Sequence, residues 1–145
     1  MTPKDFSASV VLERLALMRQ LLADLEVLGD VSPQRLAGDR LTRHAVERIV
    51  TQPVTLATDI NAHTAASLAA TPPTDARAAL DAMASLGVLE PRLAEALKPS
   101  IGLRNVLVHE YVGIDIALVA RSTVSARRDH ADYVRQVAAW TRLRQ

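Results

Sequence analysis

The sequence is organised around one stretch, which reads Leu103-Arg104-Asn105-Val106-Leu107-Val108-His109-Glu110-Tyr111. Arg104 offers a permanent cation with five N–H donors, and the imidazole of His109 can give or take a proton near neutral pH. Asn105 adds an amide and Tyr111 a phenol. Because an ideal helix turns about 100° per residue, Arg104 and His109 would lie about 140° apart on a straight helix. Either the helix ends between them, or the two side chains point to different partners.

Length and composition predict one globular domain over residues 1–145. A chain of this length buries roughly two-thirds of its unfolded surface. The hydrophobic fraction of 49% and the charged fraction of 23% are typical of a soluble folded protein and argue against disorder. Residues 1–6 are polar and no long apolar run follows, so no signal peptide or membrane span is expected. A cytoplasmic protein with no membrane partner is the resulting prediction.

Metal and disulfide chemistry find little support in the sequence. Cysteine is absent, which excludes disulfides and thiolate metal sites. The four histidines show neither a His-x3-His nor a His-Glu-x2-His spacing, so we expect no metal site and no cofactor.

Apolar residues at helical spacing predict long helices in the first half of the chain. The first helix is predicted over residues 7–28 by a stripe formed by Val11, Leu15, Met18, Leu22 and Leu25. Gly29 is a plausible end, and a short helical segment follows Pro33. A second long helix is predicted from Asp39, as its N-cap, to Leu68, with a kink at Pro53.

The second half of the chain shows the same pattern after a break at Pro72-Pro73. A helix is predicted over residues 75–86, and a motif-bearing helix from Pro91, with Pro99 disfavouring a straight path. A short helix is predicted over residues 114–120, and a terminal helix is predicted from residue 125. The predicted fold is all-α, an up-and-down bundle of about four main helices with short extra helices.

Three polar residues on the second long helix are candidates for a supporting role. Asp59 and His63 are four residues apart and therefore adjacent on a helix surface, and Glu47 lies a few turns earlier. A local Asp59–His63 hydrogen bond is the structural interpretation. The functional interpretation is that Glu47, Asp59 and His63 support the motif residues from a neighbouring helix.

Positive charge is concentrated at the end of the chain. Residues 116–145 contain two aspartates and six arginines, which are Arg121, Arg127, Arg128, Arg135, Arg142 and Arg144. Such an excess could attract phosphate groups, or it could be the solvated face of a terminal helix. The aromatic residues Tyr133 and Trp140 share a helical spacing with Val137, which favours a core position over a base-stacking surface.

The motif resembles that of the HEPN superfamily (higher eukaryotes and prokaryotes nucleotide-binding), and most of all its HepT-type toxin branch. That branch carries an arginine, four residues, a histidine, one residue and a tyrosine, as Arg104, His109 and Tyr111 do here. The flanking Gly102 and the later Ile114-Asp115 also agree, whereas Pro99 departs from the family pattern. The resemblance implies a HEPN-like helical domain and a metal-independent, dimeric ribonuclease with Arg104 and His109 of both protomers in one cleft.

Metal-free RNA cleavage needs a base for the ribose 2′-hydroxyl, a cation for the phosphate charge and an acid for the leaving 5′-oxygen. One histidine cannot easily serve both ends in a single in-line step. A two-fold homodimer would bring a second His109 and a second Arg104 to the same groove. Asn105 is then a polar helper that orients a backbone or phosphate group.

The resemblance also implies a role for Tyr111. In the HepT branch, a minimal nucleotidyltransferase antitoxin transfers AMP to this tyrosine. A bulky anion beside His109 would block the groove and repel RNA. The expected partners are therefore RNA, with transfer RNA among the targets considered, a second copy of the chain and a minimal nucleotidyltransferase antitoxin.

Other interpretations of the motif remain open. Its polar side chains could form a capping and salt-bridge network at a helix end, with Glu110 as the anionic partner. The chain could be a catalytically silent helical module that presents substrate to a nucleotidyltransferase. It could also be a nucleotide-binding regulatory domain that uses Arg104 for a phosphate.

Overall fold

A computed structural model of the chain describes residues 5–109 and 112–145, and the regular secondary structure within these residues is entirely helical. The elements are α1 (Ala8–Leu28), α2 (Pro33–Gly38), α3 (Arg40–Leu68), α4 (Ala76–Ser85), α5 (Pro91–His109), α6 (Ile116–Ser125), a π-helical segment (Ala126–His130) and α7 (Ala131–Arg142). The predicted all-α helical bundle is confirmed. Over the same residues, no helix combines the length and the apolar character that crossing a membrane requires.

Polar caps determine where the long helices begin. The carboxylate of Asp39 accepts the backbone N–H of Thr42 at the start of α3, at 3.1 Å, and bonds from Thr42 lower the pKa of Asp39. Ser7 and Asp75 cap α1 and α4 in the same way. Gly29 follows the last residue of α1 with a φ of 70°, a conformation that a residue with a Cβ rarely adopts. These predicted boundaries are therefore confirmed.

The long helix α3 lies at the centre of the bundle. It packs against α1, α2, α4, α5 and α6, and it continues through Pro53. The motif-bearing helix α5 likewise continues through Pro99. Each proline removes one backbone donor from its helix, and both helices nevertheless continue beyond it. The largest buried cluster joins α1, α3, α4, α5 and α7, and its fully buried members include Leu15, Met18, Ile60, Met83 and Tyr133.

The end of the chain differs from the prediction. In place of a short helix over residues 114–120 and a separate helix from residue 125, α6 continues through the π-helical segment into α7. No glycine or proline follows Gly113, so nothing in the sequence interrupts the helix. The hydroxyl of Ser122 donates a hydrogen bond to the backbone carbonyl of Leu118, one turn earlier in α6, at 2.6 Å.

Tyr133 is a core residue, as its spacing predicted. Its side chain is fully buried, and its hydroxyl donates to Oδ1 of Asn61 on α3 at 2.6 Å. Val137 is buried beside it, whereas Trp140 is half-buried and meets Phe6 edge-on, with 5.4 Å between ring centroids. Neither ring forms an open stacking surface.

Candidate functional site

The motif residues occupy the last turns of α5. The helix runs unbroken to His109, so it does not end between Arg104 and His109. A five-residue step on a continuous helix places the two residues about 140° apart around the axis and about 7.5 Å apart along it. The second alternative from the sequence therefore applies, and the two side chains of one protomer point to different surroundings.

Arg104 is held in place by the central helix. Its Nε donates to Oγ1 of Thr55 at 3.0 Å, and the arginine is half-buried between α5 and α3. Guanidinium carries five N–H donors, and this contact engages one of them. The other four have no hydrogen-bond partner among residues 5–109 and 112–145. A fixed fork with free donors is well suited to binding a phosphate.

Thr55, which contacts Arg104, is a candidate site residue that the sequence analysis missed. Its neighbours on α3, Thr51 and Thr58, donate their hydroxyls to carbonyls one turn back, which is usual for threonine inside a helix. Thr55 instead accepts a bond from a residue 49 positions away. No local pattern distinguishes it from the other two threonines, so only the packing of α3 on α5 identifies it.

His109 lies on an exposed and partly apolar surface. The imidazole is exposed in the last turn of α5, as is the amide of Asn105. Val106 and Val108 are each 38% exposed beside it, and Val112 beyond the helix is 90% exposed. Apolar side chains grouped around a polar residue are typical of a surface that another protein covers.

Glu47 lies on α3, away from the Arg104 contact. Its carboxylate forms an ion pair with Arg43, with 3.5 Å between Oε1 and Nε, although the geometry is not that of a hydrogen bond. Eight residues separate it from Thr55, which corresponds to about 12 Å along the helix. The structure does not bring Glu47 to Arg104.

Asp59 and His63 lie on the other side of Thr55 along α3. His63 accepts the backbone N–H of Ser7 at its Nε2 atom, at 3.0 Å, and its ring faces Phe6 at 5.6 Å. It therefore helps to anchor the start of α1. Asp59 is exposed one turn before it. His63 is about 12 Å from Thr55 along the helix axis, so the contacts it makes with Ser7 and Phe6 belong to the other end of the bundle.

Two residues of the motif, Glu110 and Tyr111, lie outside the described residues. The prediction that Tyr111 accepts AMP stays a prediction, as does the salt-bridge network around Glu110. Within the described part of the chain, no group of three or more histidines and carboxylates is placed to hold a metal ion.

Three of the six arginines at the end of the chain are bonded to other groups of the fold. Arg127 donates to the backbone carbonyls of Leu25 and Gly29, where α1 ends. Arg128 and Arg135 pair with aspartates of their own segment. Arg121 is exposed and has no ion pair within the described residues. Part of the predicted positive excess therefore stabilises the fold, and a smaller part remains available for a ligand.

Comparison with known proteins adds sequence and fold relatives. The family described as ribonuclease HepT-like matches residues 11–137. A tRNA nuclease HepT from Aphanizomenon flos-aquae (strain 2012/KM1/D3) is 30% identical over 132 residues, which is 90% of each chain. Two solved structures share the fold. One is a tri-AMPylated HEPN toxin of Shewanella oneidensis in complex with an MNT antitoxin, with a TM-score of 0.78, 20% identity and coverage of 90% of this chain and 97% of the other. The second is YutE of Bacillus subtilis, a cytosolic protein of unknown function, with a TM-score of 0.82, 16% identity and coverage of 97% and 95%.

Proposed function

Because the chain belongs to the ribonuclease HepT-like family, we propose that it is the ribonuclease toxin of a toxin–antitoxin pair. The observation that carries the proposal is the family match over residues 11–137, which includes both Arg104 and His109. The geometry of these two residues agrees with it. Arg104 is a cation anchored by Thr55, and its other donors have no hydrogen-bond partner in the described part of the chain. His109 is an exposed imidazole at the same end of α5.

In the proposed reaction, side chains supply the proton transfers and the charge stabilisation that cleavage of the RNA phosphodiester bond requires. An imidazole takes the proton of a ribose 2′-hydroxyl, whose oxygen attacks the adjacent phosphorus. The guanidinium of Arg104 binds the phosphate oxygens and stabilises the added negative charge. A second imidazole, in its protonated form, gives a proton to the departing 5′-oxygen. The products are a 2′,3′-cyclic phosphate and a 5′-hydroxyl, and Asn105 orients the phosphate.

We propose that the complete site requires two copies of the chain. One protomer supplies a single His109, and it lies about 140° around the helix from Arg104. A two-fold axis near the end of α5 would place His109 of one copy opposite Arg104 of the other. The exposed valines at positions 106, 108 and 112 support this, because a dimer interface there would cover them.

The reaction is proposed to be independent of metal ions. The sequence contains no cysteine, and its histidines lack metal-binding spacing. An arginine and two histidines per site would suffice for charge stabilisation and proton transfer. Transfer RNA is the first substrate to test, since a relative that is 30% identical is a tRNA nuclease.

Regulation by a minimal nucleotidyltransferase antitoxin is part of the same proposal. The chain shares its fold with a tri-AMPylated HEPN toxin bound to an MNT antitoxin. Tyr111 is the proposed AMP acceptor, two residues beyond His109. An AMP group there would place a phosphate and a nucleoside beside the proposed proton-transfer group, which would exclude RNA by bulk and by charge repulsion.

A catalytically silent module that presents a surface to a nucleotidyltransferase is the alternative. It would also need the exposed end of α5, but it would not need His109 as a proton carrier. A substitution at His109 separates the two functions, because it should abolish cleavage in the nuclease and leave complex formation unchanged in both.

The test uses purified protein, transfer RNA and excess EDTA. We expect cleavage that leaves a 2′,3′-cyclic phosphate, and its loss in His109→Ala. Arg104→Ala should slow cleavage by about 100-fold or more, as the loss of a transition-state charge contact commonly does. His44→Ala is the matched control, because His44 is an exposed histidine near the start of α3. Cleavage that stops in EDTA, or that persists in His109→Ala, would contradict the proposal.

A further inference from the structure

One face of α5 carries His109 and runs beside the neighbouring helix α4. Gly102, Asn105 and His109 follow one another at steps of three and four residues, so they lie on the same face of the continuous helix. Lys98, four residues before Gly102, lies on this face too, and its ammonium group bonds to Asp81 of α4 at 2.8 Å. These four residues of α5 define its α4-facing stripe, at the end of which His109 is exposed.

The guanidinium of Arg77, the second residue of α4, lies against this stripe at Gly102. The atom nearest to the position that a Cβ would occupy at Gly102 is Nη2 of Arg77, at 3.6 Å. Because glycine has no side chain, the guanidinium can lie close to the backbone of α5 at this point. Seven residues of α5 separate Gly102 from His109, which corresponds to about 10 Å along the stripe. Arg77 and His109 therefore border the same surface from two different helices.

Within the described residues Arg77 has no anionic partner, although two aspartates of α4 are close to it in sequence. The carboxylate of Asp75 caps the helix and accepts a backbone N–H of the first turn at 2.7 Å. Asp81, one turn after Arg77, is bound by Lys98, which also holds Glu95 at 2.6 Å. Both aspartates are thus engaged elsewhere, and the five N–H donors of Arg77 remain available for an external anion.

The part of α5 beyond Lys98 contributes no acid to the stripe. Residues 99–109 contain no aspartate and no glutamate. Asn105 and His109 are both exposed, and so is Arg77. An anionic chain laid along the stripe would therefore meet a guanidinium, an amide and an imidazole in turn, and no carboxylate of α5 would repel it.

We propose that Arg77 binds a backbone phosphate of the RNA, and that the strand runs from the cleavage site along the α4-facing stripe. This role of Arg77 rests on the proposed ribonuclease function, which it extends from the cleaved bond to the path of the strand. Stacked nucleotides are about 3.4 Å apart, so the stripe between Gly102 and His109 spans about three of them. The phosphate at Arg77 is therefore a different one from the phosphate at His109. Arg77 holds the substrate and takes no part in the bond change.

The position of Arg77 favours an RNA strand over an isolated anion. A strand that presents one phosphate to His109 carries further phosphates at regular intervals, so one of them reaches Arg77 without a second binding event. An isolated anion at Arg77 would leave Asn105 and His109 without partners. A contact with the backbone holds the strand in register and has no preference for a base.

Three variants isolate the charge of Arg77. Arg77→Met removes the charge and keeps an apolar stem against Gly102, whereas Arg77→Lys restores the charge without the guanidinium fork. Arg92→Met is the matched control. Arg92 is the exposed second residue of α5, has no ion pair in the part of the chain that the structure describes, and lies about 25 Å from His109 along the helix. Urea unfolding of all three should match that of wild type.

Fluorescence anisotropy with a labelled single-stranded RNA measures binding in a His109→Ala background, where no cleavage is expected. Arg77→Met should raise the Kd about five- to tenfold at low salt. The slope of log K against log salt concentration should fall by about 0.7 for the phosphate contact that is lost. Arg77→Lys should keep the slope of the parent protein, and Arg92→Met should match the parent in both quantities. An unchanged slope in Arg77→Met, an equal change in Arg92→Met, or no RNA binding by the parent would overturn the assignment.

Steady-state cleavage of transfer RNA separates Arg77 from the groups that act on the bond. A contact made equally in the ground state and the transition state affects KM and not kcat. Arg77→Met should therefore raise KM and leave kcat unchanged, whereas Arg104→Ala should lower kcat. A wild type that does not cleave RNA refutes the proposed function, and the binding measurement still decides the role of Arg77. If wild type cleaves and Arg77→Met shows the wild-type KM, or a loss in kcat alone, only the role of Arg77 is refuted.

Discussion

Nε of Arg104 on α5 lies 3.0 Å from Oγ1 of Thr55 at the middle of α3. This bond joins the motif to the most central helix of the bundle. Because α3 packs against five other helices, the position of the guanidinium is determined by the whole fold. We therefore expect Thr55 to be a positioning residue, which acts through Arg104.

Replacing Thr55 with valine should impair cleavage more than stability. Valine keeps the shape of the side chain but cannot accept the bond from Arg104, so the guanidinium loses its orientation. We expect the cleavage rate to fall about tenfold, which corresponds to about 1.4 kcal/mol, the scale of one hydrogen bond. Single-turnover cleavage and urea unfolding measure the two effects.

Two further variants decide whether the effect of Thr55 is one of positioning. Thr55→Ser retains the hydroxyl and should restore most of the activity. Thr58→Val removes a hydroxyl that bonds only to the carbonyl of Val54 on the same helix, and it should cleave RNA at the wild-type rate. Equal losses in Thr55→Val and Thr58→Val would indicate a general disturbance of α3.

The protein should be a dimer in solution, with the end of α5 at the interface. Val108→Asp would place a charge where the proposed dimer excludes water, and the dissociation constant should rise by about 100-fold or more. Val27→Asp is the control, because Val27 is 87% exposed on α1. Light scattering over a range of concentrations measures both. An active monomer at micromolar concentration would refute the proposed two-copy site.

Tyr111 should be the residue that the antitoxin modifies. Co-expression with a cognate minimal nucleotidyltransferase should add AMP to Tyr111 and abolish cleavage. Tyr111→Phe should cleave RNA but resist this neutralisation, because it lacks the acceptor oxygen. The other tyrosine, Tyr133, is an internal control, since it is fully buried and its hydroxyl is bonded to Asn61. AMP on Tyr133 in a peptide mass spectrum would argue against the assignment.

His130 should make the fold less stable as the pH falls from about 6.5 to about 4. In the unfolded chain its imidazole takes up a proton near pH 6.5, whereas burial lowers the pKa in the folded chain to about 4. The unfolded state therefore binds more protons in this window, and up to about 3 kcal/mol of stability is lost on acidification. Above pH 6.5 both states are neutral at this residue, and its contribution vanishes.

Denaturation by urea at pH values from 4.5 to 7.5 measures this dependence. His130→Gln should flatten the slope below pH 6.5, whereas His44→Gln should not, because His44 is exposed. The pKa of Asp39 is also lowered. A carboxylate with a lowered pKa changes the stability of the fold only below about pH 4, which is outside the measured range. A slope that is unchanged in His130→Gln would show that other groups control the acid response.

Local sequence signals predicted most of the fold. The caps at Ser7, Asp39 and Asp75, and the glycine that ends α1, act within a few residues and can be read directly. The continuity of α6 and α7 was missed because a π-helical segment has no distinct residue pattern. The π-helical segment depends instead on how α6 packs against α3 and how α7 packs against α1.

The candidate site was only partly accessible to the same reasoning. The spacing of Arg104 and His109 identified the motif, since both lie on one helix. The bond to Thr55 joins residues that are 49 positions apart on two separate helices. Contacts of this kind arise from helix packing, which the periodicity of a single segment does not specify.

The bond between Arg127 and the carbonyl of Gly29 has a consequence for synthesis on the ribosome. Arg127, which bonds to the carbonyl of Gly29 at the end of α1, is synthesised about 100 residues later. Likewise, Oδ1 of Asn61 in α3 accepts a hydrogen bond from the hydroxyl of Tyr133 in α7. A nascent chain that has exposed only α1 to α5 lacks both partners. The helix that carries Arg104 therefore leaves the exit tunnel before α6 and α7 can pack against α1 and α3.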